Sequence, residues 1–137
     1  MRLAAAVGVT TVVVTAAVIE RDGRFLLTRR QKGVHLEGLW EFPGGKCDSG
    51  EALGACLRRE LREELDVDAT IGPEILTTTH EYPERRVELY FIRCDVTGEP
   101  RPMLGQEIRW VPRAELPSLD FPPADAELIA MLTTTRM

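Results

Sequence analysis

Glu60, Glu63 and Glu64 stand at i, i+3 and i+4, the spacing that puts three carboxylates on one face of a helix. At ~100° per residue they span an arc of about 100°. Leu53 and Cys56 project inside the same arc and Leu57 beside it, whereas Arg58 and Arg62 lie opposite. The spacing therefore predicts that the glutamates continue an inward-facing stripe. Like charges at these spacings cost roughly 0.2–0.5 kcal/mol per pair. Anions near a helix C-terminus lose a further ~0.3–1 kcal/mol each to the macrodipole. Arg59 can pair with Glu63, but one cation does not balance three carboxylates. A hard divalent cation, Mg²⁺ or Mn²⁺, does so, and still accepts water and phosphate oxygens.

The segment Gly45-x5-Glu51-x7-Arg59-Glu60-Leu61-x-Glu63-Glu64 resembles the Nudix box, the signature of hydrolases acting on nucleoside diphosphates linked to another group. Asp66 stands where that family usually has Gly at the close of the helix. Thr28-Arg29-Arg30, Trp40-Glu41-Phe42-Pro43-Gly44-Gly45-Lys46 and Phe121-Pro122-Pro123-Ala124 extend the resemblance to the MutT branch, over nearly everything from Val12 onward. The resemblance implies a single α/β domain, a mixed β-sheet sandwiched between helices. It also implies hydrolysis of (deoxy)nucleoside triphosphates to monophosphate and pyrophosphate, as in nucleotide-pool sanitation of 8-oxo-dGTP. A sister group prefers CTP, dCTP or 5-methyl-dCTP. A catalytically silent nucleotide-binding module is the reading from a different class, and the full set of box carboxylates argues against it.

Carried over by position, the resemblance makes Glu60, Glu63 and Glu64 metal ligands, together with the Gly44 carbonyl. Arg59 orients the glutamates, and Glu51 supports them from outside. Arg30 and Lys46 lie along the phosphates or sugar, Phe42 contacts the base and Asp125 faces the base edge. The metals then neutralise pyrophosphate oxygens and activate a water for in-line attack, with Glu60 or Glu63 accepting its proton.

Two departures bear on this assignment. Leu104 replaces a glutamate that related enzymes often place two residues before Gln106. Either Glu99 or Glu107 substitutes from the same loop, or one metal fewer is held. Asp125 replaces the Asn of the guanine-reading pattern. An amide donates and accepts, matching O6 and protonated N7 of 8-oxoguanine. An ionised Asp only accepts, matching the amino group of cytosine, and a protonated Asp does both.

Several elements must position these groups. Val12–Ile19 and Arg24–Arg30 read as strands joined at Asp22-Gly23. Gln31–Leu39 is a connector, Trp40–Phe42 is extended and Pro43-Gly44-Gly45 reads as irregular backbone. Asp48 with Glu51 predicts a cap for a helix over 49–65. Val67–Ile71, Ile75–His80, Arg86–Val96 and Ile108–Val111 read as strands, Gly98–Gly105 as a loop and Ala124–Leu132 as a terminal helix.

The chain's 137 residues, 44% apolar and 28% charged, suffice for one domain with a core. A net charge of −5 disfavours a polyanion-coating protein, so no nucleic-acid partner is expected. The segment from Glu41 to Asp66 alone carries seven acids and four bases. The apolar run Leu3–Ile19 superficially resembles a secretory signal, but its Val and Thr content assigns it to a strand. Residues 1–11 are read as a leader and 12–137 as the domain. Cys47, Cys56 and Cys94 show no C-x-x-C spacing; a disulfide is not expected, Cys47 and Cys56 read as core or loop fillers, and a cytoplasmic location follows. His35 and His80 read as surface or loop residues, Trp40 as core and Trp110 as sheet packing. The expected partner is a small nucleoside triphosphate, with no membrane, and the chain is read as a monomer or homodimer.

Overall fold

The computed structural model describes residues 9–31, 33 and 37–134. Its strands are β1 (Thr10–Val18), β2 (Glu20–Arg21), β3 (Arg24–Arg29), β4 (Trp40–Glu41), β5 (Gly44–Lys46), β6 (Asp68–Tyr82), β7 (Arg85–Thr97) and β8 (Glu107–Pro112). The helices are α1 (Leu53–Leu65) and α2 (Ala126–Thr134), with 3₁₀ turns at Arg113–Ser118 and Pro123–Asp125.

One sheet has the order β5-β1-β7-β6 and is mixed: β1 runs parallel to β7, while β5 and β6 are antiparallel to their neighbours. In the other, antiparallel sheet, β3 pairs with β8 and also with β2 and β4. Period-two alternation divides the side chains between two cores. Ala17, Ile19 and Leu26 pack with Leu57, Leu61 and Leu65 of α1. Ala16, Val18, Phe25 and Leu27 pack with Leu116 and with Leu128 and Leu132 of α2. The expected sandwich between helices is therefore present. Full burial of a leucine stabilises by about 1.5–3 kcal/mol, so the three leucines of α1 anchor the helix that carries the glutamates.

Asp22 and Gly23 both have positive φ, 54° and 76°, as a tight hairpin turn of matching twist requires. The first strand starts at Thr10, where Thr10 and Thr11 pair with Arg85 and Arg86. Of the leader expected over 1–11, only Val9–Thr11 are described residues.

Several expectations are corrected. The two short strands over 67–80 are one strand, β6, whose register shifts between Ile71 and Leu76, where Pro73 lacks an N–H for the ladder. Pro43-Gly44-Gly45 is not wholly irregular, because Gly44 and Gly45 form β5 on the edge of β1. A Cβ at Gly44 would lie 2.8 Å from Ala16 Cα and fall on the Thr15 carbonyl, so the glycine permits the pairing. The helix begins at Leu53, not Ser49, because Gly50 turns the chain with φ +77°. Half of the expected cap forms just ahead of it, the Asp48 N–H donating to Glu51 at 2.9 Å.

Cys47 and Cys56 are not fillers: they are joined as a disulfide, with Cα atoms 5.3 Å apart. The end of β5 and one face of α1 bring them together, a juxtaposition that a nine-residue spacing does not announce. His80 lies within β6, half-buried opposite Val87, and His35 lies outside the described residues. Trp40 is buried, as expected, and Trp110 packs against the α1 core. Among the described residues no helix is long and apolar enough to cross a membrane.

Candidate active site

Strand β5 lies beside α1, and both border a cleft of about 390 Å³. Gly44, Glu60, Glu64, Arg30, Phe42, Lys46 and Asp125 all line it. Seven of the ten predicted site residues thus meet in one place. Glu51, Arg59 and Glu63 stand outside it, and Arg59 forms ion pairs with Glu51, Glu60 and Glu63.

The helical projection explains the division. The stripe of α1 that packs on the sheets centres on Leu61, from which Glu64, Glu60 and Glu63 lie about 60°, 100° and 160° away. Glu60 is 13% exposed and Glu63 58%, so the expectation that all three acids point inward is corrected for Glu63. At Gly45 a Cβ would fall on the Glu60 carboxylate, 2.8 Å from Oε2, so the bare glycine makes room for that group.

Arg59 connects these parts. Its Nε and Nη2 donate to Glu51 at 2.8 and 2.9 Å, Nη1 donates to Glu60 at 3.1 Å and Glu63 at 3.3 Å, and Nη2 also donates to the Lys46 carbonyl at 3.2 Å. Its bonds to Glu51 raise the guanidinium pKa above its usual range, and the same contacts hold the Glu51 carboxyl down to about 2. Glu64 shifts the other way, pushed up to about 8 by burial, then by its hydrogen bond to Glu60 and by the charges of Glu60, Glu41 and Glu63. A half-buried carboxylate pair of this kind supplies hard oxygen donors with unmet demand for positive charge. That donor set, beside the Gly44 and Gly45 backbone, fits a divalent cation.

Another part of the lining is apolar. Phe42 stacks on Phe121 at 5.7 Å and meets Phe91 edge-on at 6.2 Å. Pro122 and Asp125 complete this wall, and the Asp125 N–H donates to the Pro122 carbonyl at 3.0 Å. The Phe-Pro-Pro segment is therefore both lead-in to α2 and part of the cleft. Asp125 is 6% exposed, and burial followed by the charge of Glu41 pushes its carboxyl up to about 7.

Glu41 also lines the cleft, where its charge reaches both Glu64 and Asp125, and the residue pattern does not single it out. It pairs with Arg30 at 3.3 Å, and burial raises its pKa against the lowering effect of Arg30. An acid flanked by two buried aromatic residues in a short extended segment was the available signal. The proposed substitutes for the absent loop glutamate do not line the cleft: Glu99 pairs with Arg21 at 3.4 Å and Glu107 with Arg29 at 3.5 Å. From that loop the Gln106 side-chain amide donates to the Glu64 carbonyl at 3.0 Å, closing the end of α1.

A model of the NUDIX domain matches residues 14–131, most of the chain. The chain belongs to the Nudix hydrolase family. It is 36% identical over 124 residues to the CTP pyrophosphohydrolase of Escherichia coli strain K12, covering 90% of this chain and 92% of that one. It is 37% identical over 121 residues to the 8-oxo-dGTP diphosphatase of Haemophilus influenzae, covering 87% and 89%. Among solved structures, the solution structure of the E. coli ORF135 protein superposes with a TM-score of 0.78 at 35% identity, covering 90% of this chain and 87% of that one. A MutT structure described for Aliivibrio salmonicida and Vibrio cholerae shares the fold, with a TM-score of 0.77 at 24% identity, covering 91% and 98%. This Nudix hydrolase is of the MutT type, and Nudix hydrolases generally use a divalent metal.

Proposed function

We propose that this Nudix hydrolase cleaves (deoxy)nucleoside triphosphates to monophosphate and pyrophosphate with Mg²⁺, or Mn²⁺ in its place, and clears oxidised purine nucleotides of the 8-oxo-dGTP type. The observation that carries this reading is the polarity of the cleft. Its lining combines a carboxylate pair, Glu60 with Glu64, and an aromatic wall beside the buried Asp125. A planar base with a triphosphate tail matches this lining once a divalent cation stands between the carboxylates and the phosphates.

In this reading Glu60, Glu64 and the Gly44 carbonyl hold the metal, with Glu63 contributing from the rim. The bound metal supplies charge neutralisation at the phosphates and lowers the pKa of a coordinated water. Arg59, fixed by Glu51, holds Glu60 and Glu63 in position. A carboxylate of this set, Glu60 or Glu63, accepts the proton of the attacking water. Arg30 and Lys46 face the phosphates or sugar, and the Arg30–Glu41 pair orients both partners. Phe42 supports the base, and Asp125 reads its edge.

Asp125 favours a second base class. Ionised, it accepts only, which suits the amino group of CTP, dCTP or 5-methyl-dCTP. The relative named CTP pyrophosphohydrolase supports this alternative. We further propose a cytoplasmic enzyme without nucleic-acid or membrane partners, acting as a monomer or homodimer.

A panel of 8-oxo-dGTP, dGTP, dCTP and 5-methyl-dCTP at low concentration with Mg²⁺ or Mn²⁺ tests the proposal. The highest kcat/KM is expected for 8-oxo-dGTP, with pyrophosphate released. A maximum on a cytosine nucleotide selects the second base class. Absence of pyrophosphate from every nucleotide would leave a binding module.

A further inference from the structure

Cys47 and Cys56 line no part of the cleft, yet their bond joins the two elements that frame its carboxylate end. Cys47 follows β5 directly. Cys56 is fully buried in α1, one turn before Glu60, and its Sγ lies 3.4 Å from the Thr15 hydroxyl. The Cα separation of 5.3 Å lies within the range a disulfide requires.

We propose that Cys47 and Cys56 form a reversible dithiol–disulfide site, oxidised by peroxide-class oxidants, whose closure fixes β5 against α1 and tightens the divalent-metal site. The loop that the bond closes contains Glu51, the residue that grips Arg59 through two hydrogen bonds. The Lys46 carbonyl, adjoining Cys47, accepts another Arg59 N–H, and Arg59 in turn holds Glu60. Gly45, two residues before Cys47, is the position whose missing side chain admits the Glu60 carboxylate. The cystine therefore spans the same β5–α1 seam that positions Glu60. With the bond open, loop 47–56 loses its covalent closure and Glu51 is held in place only by its own hydrogen bonds.

The chemistry balances with one peroxide. The half-exposed Cys47, as thiolate, attacks a peroxide oxygen, giving a sulfenic acid and hydroxide. Cys56 then displaces the sulfenic oxygen and forms the S–S bond. Two thiols are oxidised by two electrons, and hydrogen peroxide is reduced to two waters. A small dithiol reverses the step by exchange. Cys94 is an internal control: it is 2% exposed, its Sγ donates to the Ile92 carbonyl at 3.5 Å, and burial pushes its thiol up to about 12, so it is unreactive.

The metal component rests on the reading of Glu60 and Glu64 given above, whereas the redox component does not, and the test separates them. The full chain is treated with hydrogen peroxide or with dithiothreitol, desalted, and its thiols titrated in denaturant. Three are expected after reduction and one, Cys94, after oxidation. The oxidised form should melt several degrees higher without metal or nucleotide, since the cross-link restricts the unfolded chain. Mn²⁺ affinity, followed by EPR without substrate, should be about threefold to tenfold tighter when oxidised, below the ~10–100-fold that loss of an outer-shell partner costs. Cys47→Ser should behave as the reduced form after either treatment. Three thiols surviving peroxide would overturn the site, and equal Mn²⁺ affinity in the two forms would overturn its coupling to the carboxylates. Failure of the nucleotide panel alone would remove the enzymatic reading and leave these outcomes decisive.

Discussion

Raising the pH from 6 to 8 should change which base the cleft prefers. Asp125 is held at about 7 by burial and by the charge of Glu41. A carboxyl with that pKa is about nine-tenths protonated at pH 6 and about one-tenth at pH 8. The protonated form donates and accepts, as 8-oxoguanine requires, while the ionised form only accepts, as the cytosine amino group requires. One substrate loses about tenfold while the other gains about tenfold, so the ratio of kcat/KM for 8-oxo-dGTP over dCTP should fall by about a hundredfold across this interval, centred near 7. The two substrates should compete in one reaction, so that pH effects on metal binding and on the shared phosphate chemistry cancel in the ratio. Asp125→Asn should give a flat ratio favouring 8-oxo-dGTP. A flat ratio in the unaltered enzyme, or a slope that persists in Asp125→Asn, would refute the role given to this side chain. The same shift has a stability consequence. Because the folded pKa lies above the unfolded value of 3.8, Asp125 contributes its full stability below that value and loses it as pH rises toward about 7. Asp125→Asn should therefore melt above the parent at pH 8, with the gap closing near pH 4.

Glu63→Gln should abolish turnover with little change in Tm, since the side chain is 58% exposed; near-normal pyrophosphate release would remove Glu63 from the reaction. Gly45→Ala should also lose activity at near-parental Tm, because the new Cβ displaces only the flexible end of Glu60. Gly44→Ala should instead fail to fold stably, because its Cβ meets the Thr15 and Ala16 backbone; circular dichroism melts distinguish the pair. Asp66→Gly should stabilise by about 0.5–1 kcal/mol in denaturant titration, since Asp66 closes α1 in the left-handed region, at φ 57°, where glycine carries no Cβ penalty.

The hairpin at Asp22-Gly23, the strands flanking it, the close of the helix at Leu65 and the carboxylate spacing were all legible in the sequence. Each depends on contacts within one or two turns or on a period of two, and such periods are printed in the residue order. The helix start was not legible because an Asp48–Glu51 pair looks alike at a helix cap and in a turn, and Gly50 with φ +77° sets the turn. β5 was not legible because a glycine pair has no strand pattern of its own; the edge of β1 supplies the partner.

The sequence by itself determined that a helix would present clustered carboxylates, and its Nudix resemblance that a mixed sheet would lie between helices; the division of the strands into two sheets came from the tertiary structure. Only the tertiary structure decided which carboxylates share the cleft. Glu60 and Glu64 face it, Glu63 turns to the rim, and Glu41 enters from a strand far away in sequence. It also decided that Cys47 meets Cys56 and that Asp125 is buried near Glu41. The reason is physical: a helix fixes angles among its own residues, but which angle faces a strand, and what that strand carries, is set by packing between distant segments.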